Sequence, residues 1–221
     1  MISSLWATAA QAFDALAGAA VAATGIGKPK RLKLLILGLP DAGKTTLLHR
    51  MRNPDPTAPA SLSLSSDIHL DVDNRQFVLN TIDLGGFQYR DYPGGNRSLW
   101  RVCFTAGDVD GVVLVVDAAD HERLRHAASF FGDLLRMLDE TNGQQTTPVL
   151  VLGNKIDHHG ALAEEELREA MRLRQRGGDG QTGWRRQGNA QQRPVDLFMC
   201  SAIMGQGYHQ GFEWLARHIG T

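Results

Sequence analysis

A glycine-rich loop at residues 38–45 constrains the fold more than any other feature of this chain. It reads Gly-Leu-Pro-Asp-Ala-Gly-Lys-Thr, between an apolar run at 34–37 and a helix-compatible run at 46–50. In that setting backbone N–H groups surround a phosphate, while Lys44 contacts the outer phosphates and Thr45 faces Mg²⁺. The predicted phosphate-binding residues are Gly38, Asp41, Ala42, Gly43, Lys44, Thr45 and Thr46.

A second motif predicts which base the nucleotide carries. Asn154, Lys155 and Asp157 belong to an Asn-Lys-Ile-Asp sequence that follows an apolar run at 148–152. A carboxylate there accepts hydrogen bonds from both N1–H and the exocyclic amine of guanine, whereas adenine presents an acceptor to it. Asn154 braces the loop, and the Lys155 stem covers the purine ring. The motif therefore predicts a guanine nucleotide, GTP or GDP.

A third motif, Asp83-Leu-Gly-Gly86, ends the apolar run at 77–82. A carboxylate at a strand end holds Mg²⁺ through water, and the missing side chain of Gly86 lets its N–H approach a γ-phosphate. This pattern predicts a loop that senses the γ-phosphate, although Asp-x-x-Gly also describes a common turn.

The hydrophobic pattern predicts an α/β fold with a mostly parallel sheet, helices on both faces and one antiparallel edge hairpin. One domain spans 28–221, preceded by a helix and linker at 1–27, within a chain of 221 residues. The predicted strands are 31–37, 67–72, 75–82, 111–117, 148–153 and 195–199. The predicted helices are 44–52, 120–139, 161–173 and 209–219.

Residues 3–23 form a predicted amphipathic helix, with Trp6 and Phe13 on its apolar face. The segment is too polar to span a bilayer, and no positive charge precedes it as in a secretory signal. Two interpretations stay open. The helix either inserts into the headgroup layer of an anionic membrane, assisted by the basic cluster at 28–33, or packs permanently on the domain. Ile2 excludes N-myristoylation, which requires glycine at that position.

The remaining polar features are predicted to be structural. A net charge of −1 argues against a nucleic-acid partner. Residues 174–193 are interpreted as a polar surface loop, with an RNA-binding strip as the alternative. The pair His158 and His159 is interpreted as part of a turn rather than as metal ligands. Cys103 and Cys200 lie in apolar surroundings and are predicted to be reduced thiols rather than a disulfide.

Together these motifs resemble the Arf/Sar family of small GTPases, most closely its Sar branch. The likeness is strongest in Val116-Asp-Ala-Ala-Asp-His-Glu-Arg123, in Leu152-Gly-Asn-Lys-Ile-Asp157 and in the C-terminal region from Phe198 to Trp214. The predicted N-terminal helix lacks a myristoylation glycine, and in this it also resembles the Sar branch rather than the Arf branch. The resemblance implies a P-loop small GTPase fold, with Ser201, Ala202 and Ile203 in the loop that closes over the guanine.

The resemblance further implies a GTP-binding switch that hydrolyses GTP slowly and initiates COPII coat assembly in transport from endoplasmic reticulum to Golgi. The implied partners are a membrane surface bound by residues 3–23, a guanine-nucleotide exchange factor, and inner-coat subunits including an activating protein. The implied location is cytoplasmic and peripheral on the endoplasmic reticulum, with Golgi membranes as an additional site. The hairpin at 67–82 corresponds to the sliding interswitch of the family.

One departure from the family pattern affects catalysis. The family places histidine after Asp-Leu-Gly-Gly to orient the attacking water, and this chain has Phe87 there. An aromatic hydrocarbon does not hold a water, so intrinsic hydrolysis is expected to be slow. Gln88 is the substitute candidate, beside the Gly86 N–H contact to the γ-phosphate. The alternative function is a GTP-dependent binding module with little or no hydrolysis.

Other departures affect metal and phosphate binding. The Mg²⁺-binding threonine of switch I corresponds to Ser66, or to Ser65 if the alignment shifts, and joins Thr45 and Asp83 in the predicted metal site. Residues 91–97 are inserted in switch II. In the phosphate loop, the Asp41 carboxylate near the phosphates predicts weaker nucleotide holding and fast exchange.

Overall fold

A seven-stranded sheet forms the centre of the computed structural model, which describes residues 30–52, 68–72, 75–83, 109–141, 147–173, 183–185 and 192–219. The strands are β1 (Lys30–Leu37), β2 (Ile68–Val72), β3 (Arg75–Asp83), β4 (Gly111–Asp117), β5 (Val149–Asn154), β6 (Gly183–Arg185) and β7 (Gln192–Met199). Their order is β2-β3-β1-β4-β5-β7-β6, antiparallel only in the outer pairs β2–β3 and β6–β7. The predicted mostly parallel sheet with an antiparallel hairpin at one edge is confirmed.

Helices cover both faces of the sheet, as predicted. Among the described residues they are α1 (Lys44–Arg52), α2 (Leu124–Thr141), α3 (Glu164–Ala170) and α4 (Tyr208–His218). Successive side chains of a strand point to opposite faces, so β1 sends Leu34 and Ile36 toward α1 and α4, and Leu35 and Leu37 toward α2 and α3. Because both faces are covered, the central strands are continuous apolar runs, and every residue of β5 is buried.

The parallel register brings the sequence motifs to one edge of the sheet. Asp83 at the end of β3 is level with Ile36 of β1, just before the phosphate loop. Asp117 at the end of β4 is level with Asn154 at the end of β5. The carboxyl ends of parallel strands are where ligands bind in such sheets, so the fold assembles the candidate site from distant segments.

Two helices are shorter than predicted at their starts. Helix α2 begins at Leu124 rather than at 120, because Asp120 Oδ1 accepts the Arg123 N–H at 3.1 Å and forms a separate turn. Helix α3 begins at Glu164 rather than at 161, because the Leu162 N–H donates to Ala118 O at 3.0 Å instead of joining a helix. Tertiary and local side-chain hydrogen bonds therefore replace the first helical turn in both cases.

The interval 174–193, interpreted from the sequence as a polar surface loop, contains a short described strand. Strand β6 lies inside it and pairs antiparallel with the start of β7, with Gly183 opposite Pro194. Strand β7 consequently begins at Gln192 rather than at 195. An open sheet edge offers unpaired backbone groups to any extended segment, so pairing here does not need the apolar pattern that signals a strand. The rest of the interval, 174–182 and 186–191, lies outside the described residues.

The predicted N-terminal helix at 3–23 also lies outside the described residues. Among the helices that are described, none combines the length and the apolarity needed to cross a membrane.

A buried ion pair attaches α3 to β7. The Arg168 guanidinium donates to Asp196 Oδ1 at 2.6 Å and to Leu197 O at 2.9 Å. The same guanidinium contacts Glu164 Oε1 at 2.9 Å. The Arg168 and Asp196 side chains are only 5% and 4% exposed, so the Asp196 carboxylate is buried beside the cation that compensates its charge.

We expect Arg168→Met to lower the free energy of unfolding by about 3 kcal/mol, because Asp196 then keeps a buried charge without its cation. Urea denaturation measures the change. Arg217→Met is the matched control, since Arg217 pairs with Glu213 at 3.7 Å with side chains 50% and 40% exposed. The control is expected to change stability by less than about 0.5 kcal/mol. Equal midpoints for the two variants would contradict this interpretation of the ion pair.

Candidate nucleotide-binding site

The backbone of the glycine-rich loop after β1 requires glycine at two positions. Gly43 has a φ of 96°, and a Cβ there would lie 2.2 Å from Asn154 Nδ2. Gly38 has a φ of 151°, and a Cβ there would lie 2.3 Å from Val115 O. Asp41 is left-handed with a φ of 63°, and it is exposed. Such alternation of backbone conformation makes successive N–H groups converge into an anion-binding concavity.

Lys44 lies against the inside of this loop. It is 5% exposed, and its Nζ donates to Gly38 O at 3.1 Å and Leu39 O at 2.9 Å. Lys44 also begins α1, so the positive end of that helix faces the loop. Thr45 and Thr46 follow in the first turn of α1 and are exposed. The ammonium and the helix end together create positive potential where phosphates are predicted to bind.

The Asn154 side chain joins the phosphate loop to the loop after β7. Its Nδ2 donates to Ala42 O at 2.8 Å, and its Oδ1 accepts the Ala202 N–H at 2.9 Å. Asn154 is 2% exposed, so these hydrogen bonds are shielded from water. The bracing role predicted for Asn154 therefore corresponds to contacts with two separate loops.

The Asp157 carboxylate is oriented by Ser201. The Ser201 Oγ donates to Asp157 Oδ1 and accepts the Met204 N–H at 3.1 Å. Paired hydrogen bonds between Ser201 and Gln206 close the loop. Asp157 itself is exposed, which leaves the carboxylate accessible to a base. Sequence reasoning placed both residues in the site but did not predict their contact.

In the loop that is predicted to close over the guanine, the backbone N–H groups of Ser201 and Ala202 form hydrogen bonds within the protein. The Ser201 N–H donates to Gln206 O at 3.0 Å, and the Ala202 N–H donates to Asn154 Oδ1. Ile203 is 57% exposed, and its carbonyl accepts from Arg50 at 2.8 Å. The Asp157 carboxylate and the loop from Ser201 to Ile203 therefore lie side by side.

Sequence reasoning missed Asp117 and Arg50. Lys155 has a φ of 70° and its Nζ lies 2.7 Å from Asp117 Oδ2. Asp117 also accepts the Ala119 N–H at 2.9 Å. The available signal was a carboxylate at the carboxyl end of an entirely apolar strand. Arg50 gave no comparable signal, because an arginine in the last turn of a helix is ordinary.

Comparison with known proteins decides the family. Residues 20–219 match the ADP-ribosylation factor family. The chain belongs to the Arf family of small GTPases. Proteins of this family bind guanine nucleotides and act as GTP-hydrolysing switches.

Curated relatives of this Arf-family protein include Sar and Arf-like members. The small COPII coat GTPase SAR1 of Giardia intestinalis is 31% identical over 191 residues, covering 86% of this chain and 91% of that protein. ADP-ribosylation factor-like protein 2 of Arabidopsis thaliana is 30% identical over 194 residues, covering 88% and 90%.

A solved structure is similar too. The Arl6 BBS3 small GTPase from Trypanosoma brucei, with bound nucleotide analogue GppNp, matches with a TM-score of 0.56 and 25% identity. The match covers 85% of this chain and 96% of that one.

The thiol beside the candidate base site is inert at neutral pH. Burial, together with a smaller contribution from the Asp157 carboxylate, raises the pKa of Cys200 to about 12. The thiol therefore stays protonated, and its Sγ donates weakly to Asn154 Oδ1 at 3.7 Å. Cys200 is a free cysteine, in keeping with the predicted reduced thiol. Cys103 lies outside the described residues.

Part of the predicted site is not described. Ser65, Ser66, Gly86, Phe87 and Gln88 lie outside the described residues, and of Asp83 only the backbone is described. Within the parts of the chain that are described, no group of three His, Cys, Asp or Glu side chains could hold a metal ion. The His158 and His159 side chains are exposed next to the base motif.

We expect Gly43→Ala to weaken GDP binding by about tenfold or more, because a left-handed alanine is strained and its Cβ displaces Asn154. Fluorescent-GDP titration measures the affinity. Gly132→Ala in α2 is the control, since a Cβ there has no neighbour within 4 Å. The control should bind GDP normally, and an equal affinity for Gly43→Ala would overturn the steric argument.

Proposed function

We propose that this Arf-family protein is a Sar-type switch that hydrolyses GTP slowly and initiates COPII coat assembly on the cytosolic face of the endoplasmic reticulum. The observation that carries the coat role is the 31% identity to a Giardia intestinalis protein named small COPII coat GTPase SAR1, over 86% of this chain. In support, Asn154 links the phosphate loop to the loop after β7. A nucleotide that binds one conformation of these loops better than another would shift the equilibrium toward it, as a switch requires.

The proposed nucleotide contacts follow from the geometry. The phosphates bind the loop and helix start from Gly38 to Thr46, with Lys44 as the cation. Guanine binds Asp157, with Asn154 and Lys155 holding the loop, and with Ser201, Ala202 and Ile203 at its border. An Asp157 carboxylate already oriented by Ser201 loses little freedom when the base binds.

Mg²⁺ is the proposed metal. Thr45 and Ser66 supply hydroxyl oxygens and Asp83 supplies a carboxylate, which are the hard oxygen ligands that Mg²⁺ prefers. The exposed Thr45 at the start of α1 and the end of β3, level with Ile36, lie at the same edge of the sheet. The metal would neutralise phosphate charge there.

Slow hydrolysis is proposed from Phe87. Phosphoryl transfer depends on positioning the attacking water and stabilising charge, and Phe87 offers no polar atom for either task. Gly86 contributes a backbone N–H to the γ-phosphate, and Gln88 is the weak candidate for orienting water. An activating protein then supplies the missing stabilisation.

We expect Phe87→His to accelerate single-turnover cleavage of preloaded GTP by roughly tenfold or more, because an imidazole can orient the attacking water. Phosphate release from purified protein with Mg²⁺ measures the rate, and Phe87→Leu serves as the apolar control. A wild type as fast as the histidine variant would show that another group, such as Gln88, orients the water.

Phe87 also favours a second candidate function. In this alternative the protein is a binding module in which GTP stabilises one conformation and little or no hydrolysis occurs. The two functions differ in one observable. An activating protein that raises hydrolysis above background supports the switch, and hydrolysis that no added partner stimulates supports the module.

Membrane attachment is proposed through residues 3–23. In the GTP state their apolar face enters the headgroup layer, and the basic cluster at 28–33 attracts anionic lipid. An exchange factor loads GTP, and inner-coat subunits including the activating protein then bind. The proposed locations are the cytosolic faces of endoplasmic reticulum and Golgi membranes, with no nucleic-acid partner.

We expect the double substitution Trp6→Ala and Phe13→Ala to lower liposome flotation by at least about tenfold, because two buried aromatic side chains are lost from the membrane contact. Flotation is compared between GDP and a non-hydrolysable GTP analogue. Gln11→Ala on the polar face is the control and should float normally. Flotation independent of both nucleotide and the aromatic pair would refute coupled insertion.

A further inference from the structure

Arg123 connects the turn before α2 to the phosphate loop. One terminal guanidinium nitrogen of Arg123 donates to Pro40 O at 3.0 Å, across 83 positions of sequence. Pro40 is the third residue of the loop, two positions before Ala42, whose carbonyl accepts from Asn154 Nδ2. The loop is therefore held by a charged side chain that belongs to none of the motifs assigned to nucleotide binding.

Asp120 supports this arginine. Its Oδ1 accepts the Arg123 N–H at 3.1 Å, and its Oδ2 is paired with Arg123 Nε. Burial opposes ionisation of Asp120, but the Arg123 hydrogen bonds outweigh it and hold the pKa of the carboxyl below its ordinary value. Lys155 adds a smaller contribution in the same direction. Asp120 is therefore ionised at neutral pH, and Arg123 is held at both ends of its guanidinium.

Three consecutive carbonyls of the phosphate loop are held by cationic side chains. Lys44 Nζ donates hydrogen bonds to Gly38 O and Leu39 O. Arg123 donates a hydrogen bond to Pro40 O, which is the next carbonyl along the loop. These carbonyls carry partial negative charge that would repel a phosphate, and hydrogen bonds from cationic side chains offset that charge.

The Pro40 carbonyl determines where the next N–H points. A trans peptide is planar, so the C=O of Pro40 and the N–H of Asp41 point in opposite directions. Proline presets its own φ, and Asp41 follows in the left-handed region with a φ of 63°. A hydrogen bond that holds Pro40 O toward Arg123 thus directs the Asp41 N–H to the other edge of the peptide, as a phosphate-binding nest requires.

We propose that Arg123 is a positioning residue for the nucleotide phosphates, acting through Pro40 O to orient the Asp41 N–H, with Asp120 as its support. The inference rests on the proposed phosphate contacts of the loop. It concerns retention of GDP and GTP, and it holds whether or not the protein assembles a coat.

The test compares release of fluorescent GDP from wild type, Arg123→Ala and Arg125→Ala in the presence of Mg²⁺. Arg125 is an exposed arginine in the first turn of α2, so its removal changes the same charge without touching Pro40. We expect Arg123→Ala to release GDP about tenfold faster, as for loss of one charged hydrogen bond, and Arg125→Ala to match wild type. Equal rates in the two variants would overturn the proposal.

A second measurement separates positioning from general loosening. In ³¹P spectra of bound GDP, Arg123→Ala is expected to shift the β-phosphate resonance, and Arg125→Ala is expected to leave it in place. Faster release with unchanged ³¹P resonances would overturn the proposal, because the phosphate environment would then be intact.

If the Arg123→Ala variant does not fold, Arg123→Lys provides the test instead. Lysine keeps the positive charge, but its single ammonium cannot bond Asp120 and Pro40 O at the same time as the planar guanidinium does. GDP release should therefore be about threefold faster than in wild type. Wild-type release and wild-type ³¹P resonances in this variant would overturn the role. A wild type that retains no guanine nucleotide would instead overturn the proposed phosphate contacts themselves.

Discussion

The candidate site depends on the two hydrogen bonds made by the buried side-chain amide of Asn154. It donates to the phosphate loop and accepts from the loop after β7, at a position 2% exposed to solvent. A buried amide that lost either partner would leave a polar group without water or protein to satisfy it. The two loops therefore hold one another in place through one buried side chain.

The parallel sheet makes this contact available. Asn154 ends β5 level with Asp117, and β5 lies between β4 and β7. Parallel strands place their carboxyl ends together, so loops that are more than a hundred residues apart in sequence become neighbours. The apolar cores on both faces keep these strands in register, which keeps the loops in register too.

Cations organise the backbone around the candidate anion site. Lys44 and Arg123 hold carbonyls of the phosphate loop, and Arg50 holds the carbonyl of Ile203 in the base loop. A guanidinium or ammonium satisfies partial negative charge that would otherwise face the ligand. The positive groups thus do more than attract phosphate, because they also orient the peptide groups around it.

The sequence by itself determined the elements whose signals are local. Strand β1 and the start of α1 at Lys44 were predicted correctly. Their signals, an apolar run and the glycine-rich loop that follows it, depend only on neighbouring residues. Tertiary structure alone decided the Asp120 turn that delays α2, the pairing of β6 with β7, and the Arg123 contact with Pro40. Their partners are remote in sequence or lack a periodic pattern, so their free energy exists only once the chain has folded.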